Sequence, residues 1–184
     1  YFMLGDNDNS EKYYKKAIAI HKRLIKEFAD DDNIEKLLII YNNLACNQTD
    51  LNYPLSTTEN LYLEVIELIK ILKDPYKKRK KTAIAYNNLG NLYLIKDRNY
   101  ALSEKCYLKS IDLTKWVIDY HKSVENEERL MVNYSNLAEL YTLWGKEEKA
   151  KAYLDLAIAT ANAIDYKNNQ ENINKFIYQH ENFE

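Results

Sequence analysis

The sequence predicts an all-α fold, a right-handed α–α superhelix (solenoid) of antiparallel helix pairs, and three observations lead there. The 184 residues include only 3 Gly and 2 Pro, too few for the turns of a hairpin-rich β fold. The stretch "YNNLAC" at Tyr41 to Cys46 returns as "YNNLGNLY" at Tyr86 to Tyr93 and as "YSNLAELY" at Tyr134 to Tyr141. A second phrase alternates with it: "SEKYYKKA" from Ser10, "TENLYLEV" from Thr58, "SEKCYLKS" from Ser103 and "AKAYLDLA" from Ala150, at spacings of 48, 45 and 47 residues. Recurrence at such a period marks a repeat array, whose units bury their apolar faces by stacking on one another.

Each phrase reads as one face of a helix. In the first, Tyr41, Leu44 and Ala45, then Tyr86, Leu89, Gly90 and Tyr93, then Tyr134, Leu137, Ala138 and Tyr141 follow the i, i+3, i+4, i+7 spacing of an apolar stripe. The small residue after each Leu lets a neighbouring helix come close. Gly90 costs about 1 kcal/mol against Ala in a helix interior, so its presence predicts tight packing at that point. In the second phrase a small residue (Ser10, Thr58, Ser103, Ala150) is followed four later by a large one (Tyr14, Tyr62, Tyr107, Leu154). Three after that comes another slim one (Ala17, Val65, Ser110, Ala157), again a single helix face.

A helix pair with these landmarks resembles the tetratricopeptide repeat family, and "YSNLAELYTLWGKEEKAKAYLDLAIA" matches its pattern nearly throughout, with Gly145 at the turn. Units of this length, longer than the usual 34 residues or so, resemble the kinesin-light-chain-like branch. The resemblance divides the chain into a partial first unit at 1–32, a second at 33–76, a third at 77–124 and a fourth at 125–164. Tyr1 and Gly5 occupy late landmarks of a first helix, so residue 1 falls inside a repeat and the chain reads as an excerpt. The second unit departs from the pattern, with Gln48 in place of a Tyr and a loop around Pro54 in place of a tight turn. Residues 165–184 are expected to form a C-terminal capping helix, with Ile173, Phe176, Ile177 and His180 on one face.

Composition limits the chemistry. The net charge of −2 gives no overall attraction to nucleic acid or an anionic membrane. No apolar run approaches the roughly 18 residues of a membrane span. Cys46 and Cys106 lack metal-type spacing and sit in apolar patterns, which reads as reduced core thiols in a cytoplasmic protein. His21, His121 and His180 form no H-E-x-x-H or related pair. "DNDNSE" at Asp6 to Glu11 opens like a calcium loop, but Glu11 stands where Gly is needed and Ala17 where Glu is needed. It reads as turn and N-cap chemistry, and "DDDN" at Asp30 to Asn33 as the start of the following helix. "KKRKK" at Lys77 to Lys81 opposes the dipole of a helix start; without interleaved aromatics it reads as a solvated face. No metal, cofactor or catalytic group is expected, and the tyrosines recur at packing positions.

The asparagines remain. Asn42 and Asn43, Asn87 and Asn88, and Ser135 and Asn136 follow the Tyr of each first helix, with Asn91 and Glu139 one turn on. Amides lining a solenoid's concave surface can both donate to and accept from a peptide backbone; the alternative is that they bridge successive helices or face water. The resemblance implies peptide contact at Asn43, Asn88 and Asn136. It also implies that a clamp for a terminal carboxylate needs Lys or Arg beside them. Ile39, Cys46, Ile84, Asn91, Val132 and Glu139 stand there instead, so that clamp is expected to be absent. The reading is a non-enzymatic protein- or peptide-binding scaffold. The alternative is a regulatory or sensor domain of a larger bacterial protein that responds to a peptide.

Overall fold

A computed structural model describes residues 7–28, 30–51 and 53–164. Among the described residues seven helices follow one another with no strand between them: α1 (Asn7–Glu27), α2 (Asp31–Asp50), α3 (Leu55–Ile69), α4 (Pro75–Asp97), α5 (Tyr100–Tyr120), α6 (Val124–Leu143) and α7 (Glu147–Ala163). Consecutive helices pack against each other, and α4 also touches α2 on one side and α6 on the other. The fold is an all-α solenoid of helix pairs. Tyr1, Gly5 and the expected capping helix at 165–184 lie outside the described residues.

Local chemistry sets the helix starts. Asp30 caps α2, its Oδ1 accepting the Asn33 N–H at 2.7 Å. Asp74 caps α4, with Pro75 in the first turn where a missing N–H costs nothing. Asn99 and Ser123 do the same for α5 and α6. The expectation of a turn at "DNDNSE" is corrected: α1 begins at Asn7, so Asn7 to Ser10 are helical. Gly145, at φ +72°, supplies the left-handed turn between α6 and α7.

The repeated apolar stripes make the core. Leu44, Ala45, Leu89, Gly90, Leu137 and Ala138 are buried, as are Tyr41, Tyr134 and Tyr141. At Gly90 a Cβ would come within 2.7 Å of two Tyr107 ring carbons, so only glycine admits this ring. The slim residues of α5 have a polar task as well. Buried Ser103 donates its hydroxyl to the Gly90 carbonyl and Ser110 to that of Ala83, each at 2.8 Å. In α2 and α6 the carbonyl matching Gly90 is taken within the helix, by Thr49 on Ala45 and Thr142 on Ala138. In α4 that position is Leu94, and the neighbouring helix supplies the hydroxyl. Cys106 is buried, its thiol pushed up to about 11 by burial. Cys46 corrects the reading of two core thiols: it is exposed, its Sγ 3.9 Å from the Tyr62 hydroxyl.

Contacts between units follow the same register. Tyr93 of α4 donates its hydroxyl to Glu59 of α3 at 2.6 Å, and Tyr141 of α6 to Glu104 of α5. Burial first, and then the facing carboxylate, holds both phenols well above the ordinary tyrosine range, so they act as donors. In the second unit Gln48 fills this slot, buried and without a phenol. Tyr53 from the following loop replaces it, its hydroxyl reaching Glu11 of α1 at 2.6 Å.

The run Lys77 to Lys81 is not merely a solvated face. Lys77 lies 3.5 Å from Glu35 of α2, Lys78 donates to the Lys70 carbonyl after α3 at 2.8 Å, and Lys80 meets Glu125 of α6 at 2.9 Å. Arg79 lies 3.8 Å over the Trp116 ring of α5. Carboxylates at the starts of α2 and α6 thus flank the cationic start of α4 and offset its unfavourable dipole.

Gly90→Ala is expected to destabilise the protein by about 1–2 kcal/mol, despite the helix-propensity gain of about 1 kcal/mol. Chemical denaturation checks it. In a Tyr107→Leu background the same substitution should be neutral or stabilising; a stabilised Gly90→Ala single variant would remove the close approach as a constraint.

Candidate functional site

The asparagines fall on the side where α2, α4 and α6 adjoin, and they bond to one another. Asn88 Nδ2 donates to Asn42 Oδ1, and Asn136 Nδ2 donates to Asn87 Oδ1 at 2.8 Å. Both rungs follow one rule: the second residue after the Tyr of one helix reaches the first residue after the Tyr of the preceding one. Each helix is thereby registered on its neighbour. Every rung uses one amide hydrogen and one carbonyl, and each side chain keeps further hydrogen-bonding capacity. Asn43 is exposed.

The other expected site residues separate into different settings. Asn91 accepts the Tyr107 hydroxyl at 2.5 Å, so its carbonyl serves the packing of its own helix pair. Ser135 turns its hydroxyl back onto the Met131 carbonyl at 2.9 Å. Glu139 is exposed one turn beyond Asn136.

Two cavities flank Asn88. One, of about 280 Å³, opens between α4, α5 and α6, and its lining includes Ile84, Asn87, Asn88, Thr114, Arg129 and Val132. The other, of about 150 Å³, lies between α2, α3 and α4 and is bordered by Cys46, Asp50, Tyr62, Asn88 and Ile95. The floor of the larger one is fixed by Asn133, buried on α6, which donates to the Thr114 hydroxyl of α5 at 3.1 Å.

A face free of cations was expected, and Arg129 corrects this. It stands two helical turns before Asn136, beyond the single turn considered on either side, and its long side chain reaches the cavity wall. Its Nη2 meets Glu125 at 2.9 Å. Arg129 first, and Lys80 second, hold the Glu125 carboxyl down to about 2. Arg129, Asn133 and Thr114 were missed because their roles depend on which helices adjoin. The available signal was the basic residue seven before each second asparagine: Lys36, Lys81 and Arg129.

Among the described residues no group of three or more His, Cys, Asp or Glu is placed to hold a metal ion, and no helix is long and apolar enough to cross a membrane.

A family model described as tetratricopeptide repeat matches residues 1–21, 83–115 and 133–163. No curated protein matches. The crystal structure of BtubC (BKLC) from P. vanneervenii is similar, with 15% sequence identity and a TM-score of 0.34 over 87% of this chain and 92% of that one. The crystal structure of MamA is similar with 17% identity and a TM-score of 0.31, over 89% of this chain and 97% of that one.

A carboxylate whose pKa is lowered by folding stabilises the protein above its unfolded pKa, and that contribution fades as pH falls through the folded value. Glu125→Gln is therefore expected to lower the denaturation midpoint at neutral pH. The difference from wild type should shrink as pH drops from the ordinary 4.5 toward about 2. With the Glu125 side chain 57% exposed, the effect stays below about 1 kcal/mol. A difference that does not vary with pH would show that the ion pairs do not stabilise the fold.

Proposed function

Given that the chain carries tetratricopeptide repeats, we propose that the face built by α2, α4 and α6 is the concave, partner-binding side of a non-enzymatic scaffold, and that it holds a peptide segment of a protein partner. The repeat family in general mediates contacts between proteins, which supports the scaffold reading. On this reading the units run over 33–76, 77–124 and 125–164, after a partial one that ends at residue 32.

The observation that carries the peptide reading is the pair of amide rungs beside two cavities. Asn42, Asn87, Asn88 and Asn136 are half-buried, and each rung leaves donors and acceptors unused. An extended backbone offers both groups at every residue and can engage them without demanding a given side chain. The cavities on either side of Asn88 give its side chains places to bury.

The test selects binders to the wild-type protein from a displayed library of random peptides, then measures them by fluorescence anisotropy against two variants. Asn43→Ala removes an exposed amide without touching a rung; Asn88→Ala combined with Asn136→Ala removes both rung donors. Each is expected to weaken binding about tenfold or more, with helix content unchanged by circular dichroism. Equal affinity for wild type and both variants would remove the asparagines from the site.

A further inference from the structure

We infer that the segment held on this face is extended in a polyproline-II-like conformation, with an apolar side chain at every third residue and acidic side chains between; this rests on the peptide reading above. Three rows run across α2, α4 and α6 in the register set by the rungs. The amide row is Asn43, Asn88 and Asn136. Four residues before these stand Ile39, Ile84 and Val132, all β-branched, with Ile39 54% and Val132 45% exposed. Three residues before those stand Lys36, Lys81 and Arg129. Spacings of three and four place each set on one helix face, and Ile84, Val132 and Arg129 line the larger cavity together.

The distance between rows of neighbouring helices decides the conformation of the ligand. Packed helices lie about 8–10 Å apart. A polyproline-II segment advances about 9 Å in three residues, which is one turn, so every third side chain returns to the same side. Its backbone has no internal hydrogen bonds and can engage the rungs. In a β-strand the third residue faces away. An α-helix covers about 11 Å in two turns, but its backbone groups are already paired and offer the rungs nothing.

Charge fixes what lies between the apolar residues. Among the described residues Lys36 and Lys81 have no carboxylate within ion-pair range, while Arg129 is held by Glu125, which lines the larger cavity together with Glu128. On the opposite flank Asp50 and Glu139 are exposed. Lys36 and Lys81 beside the β-branched row therefore complement acidic side chains, while Glu125 offsets Arg129 at the α6 end and the far flank repels them.

The experiment uses three acetylated and amidated nonapeptides with a fluorescent label: three Leu-Glu-Pro triplets, a permutation of the same residues that breaks the period, and three Leu-Lys-Pro triplets. The first is expected to bind about tenfold more tightly than either other, and to lose that advantage in Ile84→Ser and in Lys81→Glu. Equal binding of the permuted peptide, or tighter binding of the lysine peptide, overturns the inference. If library-selected peptides depend on Asn43 yet show no period of three, the inference fails and the peptide reading stands. If no peptide, selected or designed, responds to Asn43→Ala or Ile84→Ser, both fall.

Discussion

The spacing of α2, α4 and α6 is the constraint on which the rest depends. These helices adjoin without a direct chain connection, so the sequence must specify their register through side chains. Two amide rungs do so, Asn88 on Asn42 and Asn136 on Asn87. Half-buried amides paired in this way avoid the desolvation cost of unmet polar groups. They also fix which residues face one another from unit to unit.

Behind this face, the helix pairs are held by fit and by satisfied polar groups. Glycine at position 90 admits the Tyr107 ring, and Ser103 and Ser110 of the same helix cap carbonyls of α4. Phenol-to-carboxylate bonds then join each first helix to the preceding second helix. The second unit reaches the same contact by another route, since Gln48 has no phenol and the loop residue Tyr53 supplies one to Glu11. Its irregular loop thus has a structural use. The cationic start of α4 is a further tie, reaching α2, α5 and α6 from Lys77, Arg79 and Lys80.

Much of the architecture was legible in the sequence because helix faces are periodic, and their period needs no knowledge of neighbours. The Tyr, Leu and small-residue landmarks gave the stripes, and Gly90 gave a close approach before its partner was known. What was not legible depends on adjacency in space. The asparagines read as amides facing a ligand, with bridges between successive helices as the alternative; the sequence could not say which of them pair, and two of their carbonyls and two of their amide groups are engaged across helices. Asn91 looked like one of this set, but it faces the Tyr107 hydroxyl inside its own pair. Cys46 lies in an apolar stretch of α2 and still points outward. Arg129 escaped notice because a long side chain reaches a cavity from two turns away, and "KKRKK" could not be divided among its partners until α2, α5 and α6 were placed around it.

The claim that amide rungs register the first helices is tested most directly by a double-mutant cycle on Asn87 and Asn136, read by chemical denaturation. Alanine replaces each residue singly and then both together. Coupling of about 0.5–1.5 kcal/mol in favour of the pair is the predicted result. Coupling indistinguishable from zero would contradict the account, since the rung would then contribute nothing to holding α4 and α6 in register.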